Sequence, residues 1–235
     1  MGAGGRAQAA LDELVARYGM EHEQRAQLES ILTMLAADRH PPTAVRAPDE
    51  AVDVHLADSL VALELIPVRA ADRIADLGAG AGFPGVALAV ALPGAEVALV
   101  ESQRRRCDFL ERLSVSAGIT NARAVWARAE EWHEGIGEQD VVVARALAPQ
   151  PVVLEYAAPL LRVGGTLVDW RGRHNPAEEG RSLAAARKLG LELAEIRRVS
   201  PFQVVRDRYL HLYLKVRDTP SRFPRRAGIA RKRPL

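Results

Sequence analysis

Asp76-Leu77-Gly78-Ala79-Gly80-Ala81-Gly82-Phe83-Pro84-Gly85 is the stretch on which the reading of this chain turns. A short apolar run, RIADL, leads into it, and a helical pattern, PGVALAVAL, leads out. Glycines between a strand and a helix let the backbone turn tightly and approach a ligand that a Cβ would hold away. Pro84 suits a first helical turn, where its missing N–H costs nothing. Gly80, Gly82 and Gly85 satisfy GxGxxG, so a nicotinamide or flavin site is one reading. Asp76 favours another. A carboxylate at the strand's end is well placed for a cationic amino-acid cofactor and awkward beside a pyrophosphate, and S-adenosylmethionine carries both an ammonium and a sulfonium.

Working outward, the next apolar run, EVALVE, ends in Glu101, 23 residues after Gly78. A carboxylate there can accept hydrogen bonds from both hydroxyls of a ribose, a device common to dinucleotide and S-adenosylmethionine sites; its plain alternative is a solvated cap of the helix that follows. Further runs, ARAVWA, DVVVAR and GTLVDW, alternate with helical patterns around RRRCDFLERLSVSAG and VVLEYAAPLL. Strands alternating with helices predict a parallel, doubly wound sheet. The last two runs, LELAEIRRV and YLHLYLKV, have no helix between them and should form an antiparallel hairpin. The fold class is therefore α/β, Rossmann-like, a mostly parallel seven-stranded sheet with an antiparallel terminal strand, as in class I S-adenosylmethionine-dependent methyltransferases. Arg128-Ala129-Glu130 and Ala144-Arg145-Ala146 fall after the third and fourth strands, at the carboxyl edge where open α/β sheets bind ligands.

Upstream, Leu11, Leu14 and Val15, then Leu28, Ile31, Leu32 and Leu35, recur at helical spacing, with Gly19 as a stop between two helices. The proline-rich HPPTAVRAP reads as a loop, and Asp49 as the cap of a third helix through DEAVDVHLADSLVALEL. This predicts an N-terminal helical cap over 1–66, a cofactor-binding domain over 67–217 and a basic tail over 218–235.

Charge divides unevenly along the chain. Residues 217–235 hold seven Lys or Arg and one Asp, so that segment is +6 and the remainder −4. A basic extension on an acidic body reads as an arm for a polyanion or as a solvated terminus. The single cysteine, Cys107, allows no intrachain disulfide and fits a reducing compartment, the cytoplasm. Neither a secretory signal nor a long apolar span is legible, and the six histidines form no HxxxH or CxxC-type cluster, so we expect no metal.

DLGAGAGFPG, VARALA, HLADSL and the tail TPSRFPRRAGIARKRPL together resemble the bacterial small-subunit (16S) ribosomal RNA guanine-N7 methyltransferases of the glucose-inhibited division B type. The resemblance runs in order from about residue 25 to the C-terminus. It implies an S-adenosyl-L-methionine site at Gly78, Phe83, Ala129, Glu130 and Arg145; Asp76, Gly80, Gly82 and Glu101 join these on the physical reading above. It also implies that His55, Asp58 and Ser59, at helical spacing, lie near the substrate guanine. Two positions depart from the family. Pro41-Pro42-Thr43 replaces an Asn-Leu-Thr motif, and Arg171-Gly172 stands where a lysine precedes glycine, keeping charge but not geometry.

Guanine N7 offers a lone pair with no proton to remove, so transfer needs no general base. Catalysis would rest on alignment, which supplies roughly 7 kcal/mol or more in good cases, with Arg145 positioning purine or cofactor. Arg171, Arg225 and Arg226 are the candidate RNA contacts, joined by the Arg104-Arg105-Arg106 helix face. The expected partner is 16S rRNA within the small subunit or an assembly intermediate, and the expected state a monomer. Three other readings stay open: a methyltransferase with a different acceptor, a nicotinamide-dependent oxidoreductase, and a non-catalytic RNA-binding relative. On the RNA reading, removing residues 218–235 should abolish rRNA methylation and leave cofactor binding intact.

Overall fold

The computed structural model describes residues 3–172, 176–200 and 208–235. Two helices open it, α1 (Ala3–Tyr18) and α2 (His22–Ala37), with Gly19 in the left-handed region between them. Their apolar stripes, Leu11 and Leu14 on one and Leu28, Ile31, Leu32 and Leu35 on the other, are buried, as the spacing predicts.

The next stretch does not form the single Asp49-capped helix expected from its pattern. It begins at Pro48, with Ala47 in the cap position and Asp49 inside the first turn, because proline is preorganised for a helix start. It then winds unevenly: α3 (Pro48–Ala51), a π-helical segment (Val52–Ala57), α4 (Asp58–Leu60), a 3-10 turn (Val61–Glu64) and α5 (Ile66–Arg69). Val52, Leu56, Leu60 and Val61 are all but fully buried, and so are Asp58 and Ser59. Residues 51–63 are enclosed almost throughout, so their winding is set by what they pack against, and widened turns of this kind gather at functional sites.

Strands and helices then alternate: β1 (Arg73–Leu77), α6 (Gly85–Ala91), β2 (Glu96–Glu101), α7 (Arg104–Ser116), β3 (Ala122–Trp126), β4 (Gln139–Arg145), α8 (Gln150–Ala157), β5 (Leu161–Arg171), α9 (Pro176–Leu189), β6 (Leu191–Val199) and β7 (Arg208–Lys215), with a short α10 (Ile229–Lys232) in the tail. The seven strands lie in the order β3-β2-β1-β4-β5-β7-β6. The pairs from β3 to β5 are parallel, and β7 runs antiparallel to both β5 and β6. The closing hairpin is thus present, with its second strand inserted between β5 and its partner.

Side chains alternate across the sheet, so each face has its own core. Ile74, Val97, Leu99, Val141 and Val143 pack with α1, α2, α6 and α7 on one face, while Ala75, Leu77, Val142 and Ala144 pack with α8 and α9 on the other. The N-terminal helices share the first of these cores. Polar side chains of α2 fasten them further: Gln24 Nε2 donates to the Val90 carbonyl at 2.8 Å, Gln27 Nε2 to Gly118 at 3.0 Å and Ser30 Oγ to Ser116 at 3.1 Å. These donors satisfy carbonyls at the ends of α6 and α7 that have no partner within their helices.

The basic tail folds back rather than extending into solvent. Phe223 and Ala230 are buried in the second core, and Arg225 makes a two-pronged pair with Glu155 of α8, which is 1% exposed. Among the described residues no helix is long and apolar enough to cross a membrane.

Candidate functional site

The chain leaves β1 toward β2 and returns beyond β1 to enter β4, so the loops after β1 and β4 diverge and open a crevice at the carboxyl edge. The glycine loop fills one side of it. Gly78, Gly80 and Gly82 all have positive φ, at 70°, 56° and 100°. A Cβ on Gly78 would meet Leu147 Cδ1 at 2.6 Å, so glycine at this position lets Leu147, after β4, pack directly against the loop. The loop's return is held from beneath: Asp76 Oδ2 accepts the Gly85 N–H at 2.8 Å, and a Cβ on Gly85 would lie 2.7 Å from that oxygen.

A cleft of about 290 Å³ opens beside the loop, lined by Gly78, Ser102 and Gln103 after β2, Ala127 to Glu130 after β3, Leu147 and Tyr156, and closed by Arg231 from the tail. Beside the cleft, at the end of β2, Glu101 is 3% exposed. Its Oε1 accepts the Gln103 N–H at 2.9 Å, and its Oε2 accepts the Gly80 N–H at 3.2 Å with Arg106 at 3.6 Å. Arginine and backbone donors fix this carboxylate at the strand end, with lone pairs left to accept from hydroxyls. Glu130 lines the cleft with Ala129, and its Oε1 accepts the Gly228 N–H at 2.9 Å.

Asp76 is placed differently from the role its sequence position implies. It is 1% exposed and lies under the loop, where burial, opposed by the Gly85 hydrogen bond, pushes its carboxyl up to about 7. It shapes the loop from below.

On the other side of the loop a second cluster forms around Phe83. The His55 ring stacks on Phe83 with centroids 4.6 Å apart and planes 3° from parallel, and the Arg145 guanidinium lies 5.8 Å from the Phe83 centroid. His55 Nε2 lies 3.1 Å from Thr43 Oγ1 and 3.2 Å from the Val45 carbonyl, and its buried Nδ1 has no partner. Burial, reinforced by Arg145, lowers its pKa to about 4, so the ring is neutral at ordinary pH. Arg145 Nη1 donates to Asp58 Oδ2 at 2.8 Å and to the Val54 carbonyl at 3.0 Å, the latter inside the π-helical segment. Asp58 is wholly buried. Its Oδ1 accepts Arg208 Nε at 2.6 Å, and its backbone carbonyl accepts Trp170 Nε1 at 2.8 Å. One carboxylate thereby fixes arginines from β4 and β7. The next residue, Ala146, has φ 55°, a left-handed turn that sends the chain away from the cluster.

The structure thus gathers Gly78, Gly80, Glu101, Ala129 and Glu130 around the cleft, and His55, Asp58, Phe83 and Arg145 around the ring stack. Gly82 sits at the turn into α6, where a Cβ would meet Val86 Cγ2 at 2.6 Å. Ser59 turns into its own helix, its Oγ donating to the His55 carbonyl. Arg171 Nε donates to Asp169 at 2.8 Å and Nη1 to the Ala148 carbonyl at 3.2 Å, with Nη2 buried and unpartnered. Arg225 is committed to Glu155, while Arg226 is exposed. Arg104 pairs with Asp108 on its own helix. Cys107 is buried, as expected from its helix position.

Sequence reasoning missed Thr43 as the partner of His55, Trp170 and Arg208 around Asp58, and Ser102, Leu147, Tyr156 and Arg231 around the cleft. Ser102 and Leu147 carried a usable signal, since both follow strand ends. Glu155 carried another, as a lone charge in the otherwise apolar VVLEYAAPLL.

A family model described as rRNA small subunit methyltransferase G (GidB) matches residues 24–201. A protein named ribosomal RNA small subunit methyltransferase G from Rubrobacter xylanophilus is 38% identical over 220 residues, covering 91% of this chain and 84% of that protein. One of the same name from Carboxydothermus hydrogenoformans is 34% identical, covering 97% and 100%. Among solved structures, a SAM-dependent methyltransferase from Aquifex aeolicus superposes with TM-score 0.59 at 15% identity, over 76% of this chain and 100% of that one. A SAM-dependent O-methyltransferase from Thermotoga maritima gives 0.55 at 17% identity, over 81% and 72%. These last two share the fold. The residues fit S-adenosylmethionine: Gly78 and Gly80 let the backbone approach a ligand, Glu130 lines the cleft, and Glu101 stands at the adjoining strand end where it can accept from a ribose.

Proposed function

The chain belongs to the GidB family of rRNA small subunit methyltransferases, and we propose that it transfers a methyl group from S-adenosylmethionine to N7 of one guanine in 16S ribosomal RNA. The observation that carries this reading is the pairing of two sites across the glycine loop: a cleft lined by Gly78, Ala129 and Glu130 on one side, and a positioned arginine over an aromatic stack on the other. Among the described residues of this cluster no effective proton acceptor stands ready: His55, one ring of the stack, is buried with its pKa lowered to about 4, and Asp58 is committed to two arginines. That is what N7 methylation requires.

S-adenosylmethionine supplies an electrophilic methyl on its sulfonium; the N7–carbon bond forms as the carbon–sulfur bond breaks, and neutral sulfide leaves. The remaining work is positional. Glu101 accepts from ribose hydroxyls, Ala129 and Glu130 flank the adenine, and Gly78 and Gly80 let the backbone approach. Asp76 locks the loop against α6. Asp58 and the Val54 carbonyl aim Arg145 beside Phe83, where its guanidinium orients the purine. The resulting alignment lowers the barrier by several kcal/mol, about 7 or more when geometry is good.

We assign residues 1–66 to the acceptor side, 67–217 to cofactor binding and 218–235 to closure of the cleft with an exposed basic surface. Arg105, Arg226 and Lys232, all exposed, suit contacts to RNA phosphates. The working state is a cytoplasmic monomer acting on the small subunit or an assembly intermediate. The test is transfer of label from S-adenosylmethionine to small subunits purified from a strain lacking the modification. Label in rRNA supports the reading; label only in protein or in a small molecule overturns it.

A further inference from the structure

The tail that sequence reads as a detachable RNA arm is built into the cofactor cleft. Four contacts tie it there. Phe223 and Ala230 are buried in the same core as Tyr156; Arg225 grips Glu155; the Gly228 N–H bonds the Glu130 carboxylate at 2.9 Å; and Arg231 Nη2 donates to the Leu147 carbonyl at 3.1 Å. Gly78, Glu130, Leu147 and Tyr156 all line the cleft, and Arg231 completes it opposite Ser102 and Gln103. We propose that the C-terminal segment is a wall of the cofactor cleft and that Arg231 binds the adenine end of S-adenosylmethionine.

This rests on the cleft being the cofactor site, and the end of the ligand that Arg231 meets follows from the arrangement. The sulfonium must face the acceptor cluster at Phe83 and Arg145, across the glycine loop. The nucleoside end must therefore run over Glu101 toward the segment after β3, where Ala129, Glu130 and Arg231 converge. A guanidinium anchored on the Leu147 carbonyl keeps further N–H groups for the acceptor nitrogens of a purine, and its plane can stack on the ring. These contacts run from Phe223 to Arg231, and Arg226, between them, remains exposed. Removing residues 218–235 would accordingly impair cofactor binding as well as any contact with RNA, contrary to the expectation from sequence.

The test is calorimetric titration of the full chain with S-adenosylmethionine and with 5′-methylthioadenosine, which lacks the ammonium and carboxylate. The variants are Arg231→Gln, Arg231→Lys and, as a charge control on an exposed face of α9, Lys188→Gln, with thermal melting to confirm folding. Loss of a charge-assisted hydrogen bond predicts about tenfold weaker binding in Arg231→Gln. The factor should be the same for both ligands, smaller in Arg231→Lys and absent in Lys188→Gln. Weakening confined to S-adenosylmethionine would place Arg231 at the carboxylate end and overturn the assignment, and unchanged affinity for both would overturn it outright. Absence of binding by the unaltered chain would sink the cofactor reading of the cleft along with it.

Discussion

Asp58 is a charged residue with no exposure, and two arginines explain its presence. An isolated buried carboxylate is costly, whereas one satisfied by guanidinium groups and fixed by packing holds those groups in place. Arg145 is the one we assign to positioning, because its Nη1 reaches both Asp58 and the Val54 carbonyl while its plane lies by Phe83. Lysine at 145 keeps the charge but not the planar guanidinium. For Arg145→Lys we expect about a 100-fold fall in turnover, the scale of a 1 Å misplacement, with S-adenosylmethionine affinity little changed; single-turnover rates and equilibrium titration separate the two. The buried titratable pair gives a second expectation. His55 is lowered from 6.5 to about 4, so its burial contributes stability above pH 6.5 that is lost as pH falls through 4. Asp76 is raised from 3.8 to about 7, so its contribution is present below pH 3.8 and lost as pH rises through 7. Urea unfolding across pH 4–8 should show His55→Gln gaining on the parent chain toward low pH and Asp76→Asn gaining toward high pH. Parallel curves would contradict both environments.

At the scale of elements, the strands and long helices were legible because each has one dominant period: DRIADL, EVALVE and DVVVAR are short apolar runs, and α2 and α7 repeat at helical spacing. The stretch 48–69 was not, since burial of nearly every residue from 51 to 63 removes the polar face that marks a helix's phase, and its π-helical turn is a consequence of packing that no local pattern records. The glycine loop and Glu101 could be found from spacing alone. Thr43, Trp170 and Arg208 could not, because they reach their partners from separate elements, Arg208 to Asp58 across a sequence separation of 150 residues. The docking of the tail was not legible for a related reason: its charge is visible in sequence, whereas the buried Glu155 that claims Arg225 is visible only in the fold. Arg225→Ala leaves that carboxylate 1% exposed without its guanidinium, and should cost about 3–5 kcal/mol in chemical unfolding. Limited proteolysis should then cut the C-terminal segment early. A variant as stable and as resistant as the parent would mean the tail is not docked through this pair.

For the whole molecule, the sheet order places two differently built sites on either side of one loop, and on the proposed function that division is what permits methyl transfer without proton transfer. The cleft contributes carboxylates and backbone, the acceptor side an aligned arginine over a ring stack, and the N-terminal helices and the tail each close one flank. Such an arrangement suits an acceptor that is a free lone pair on a purine held out of its helix, as unpaired RNA bases are. The most direct measurement is to digest the rRNA of small subunits methylated by the purified chain and identify the modified nucleoside and its position by mass spectrometry. The account predicts N7-methylguanosine at a single unpaired site, absent from subunits incubated with Arg145→Lys for the same time. A methyl group on an exocyclic amine, a ribose hydroxyl or a pyrimidine carbon, each of which requires a proton to be removed, would contradict it.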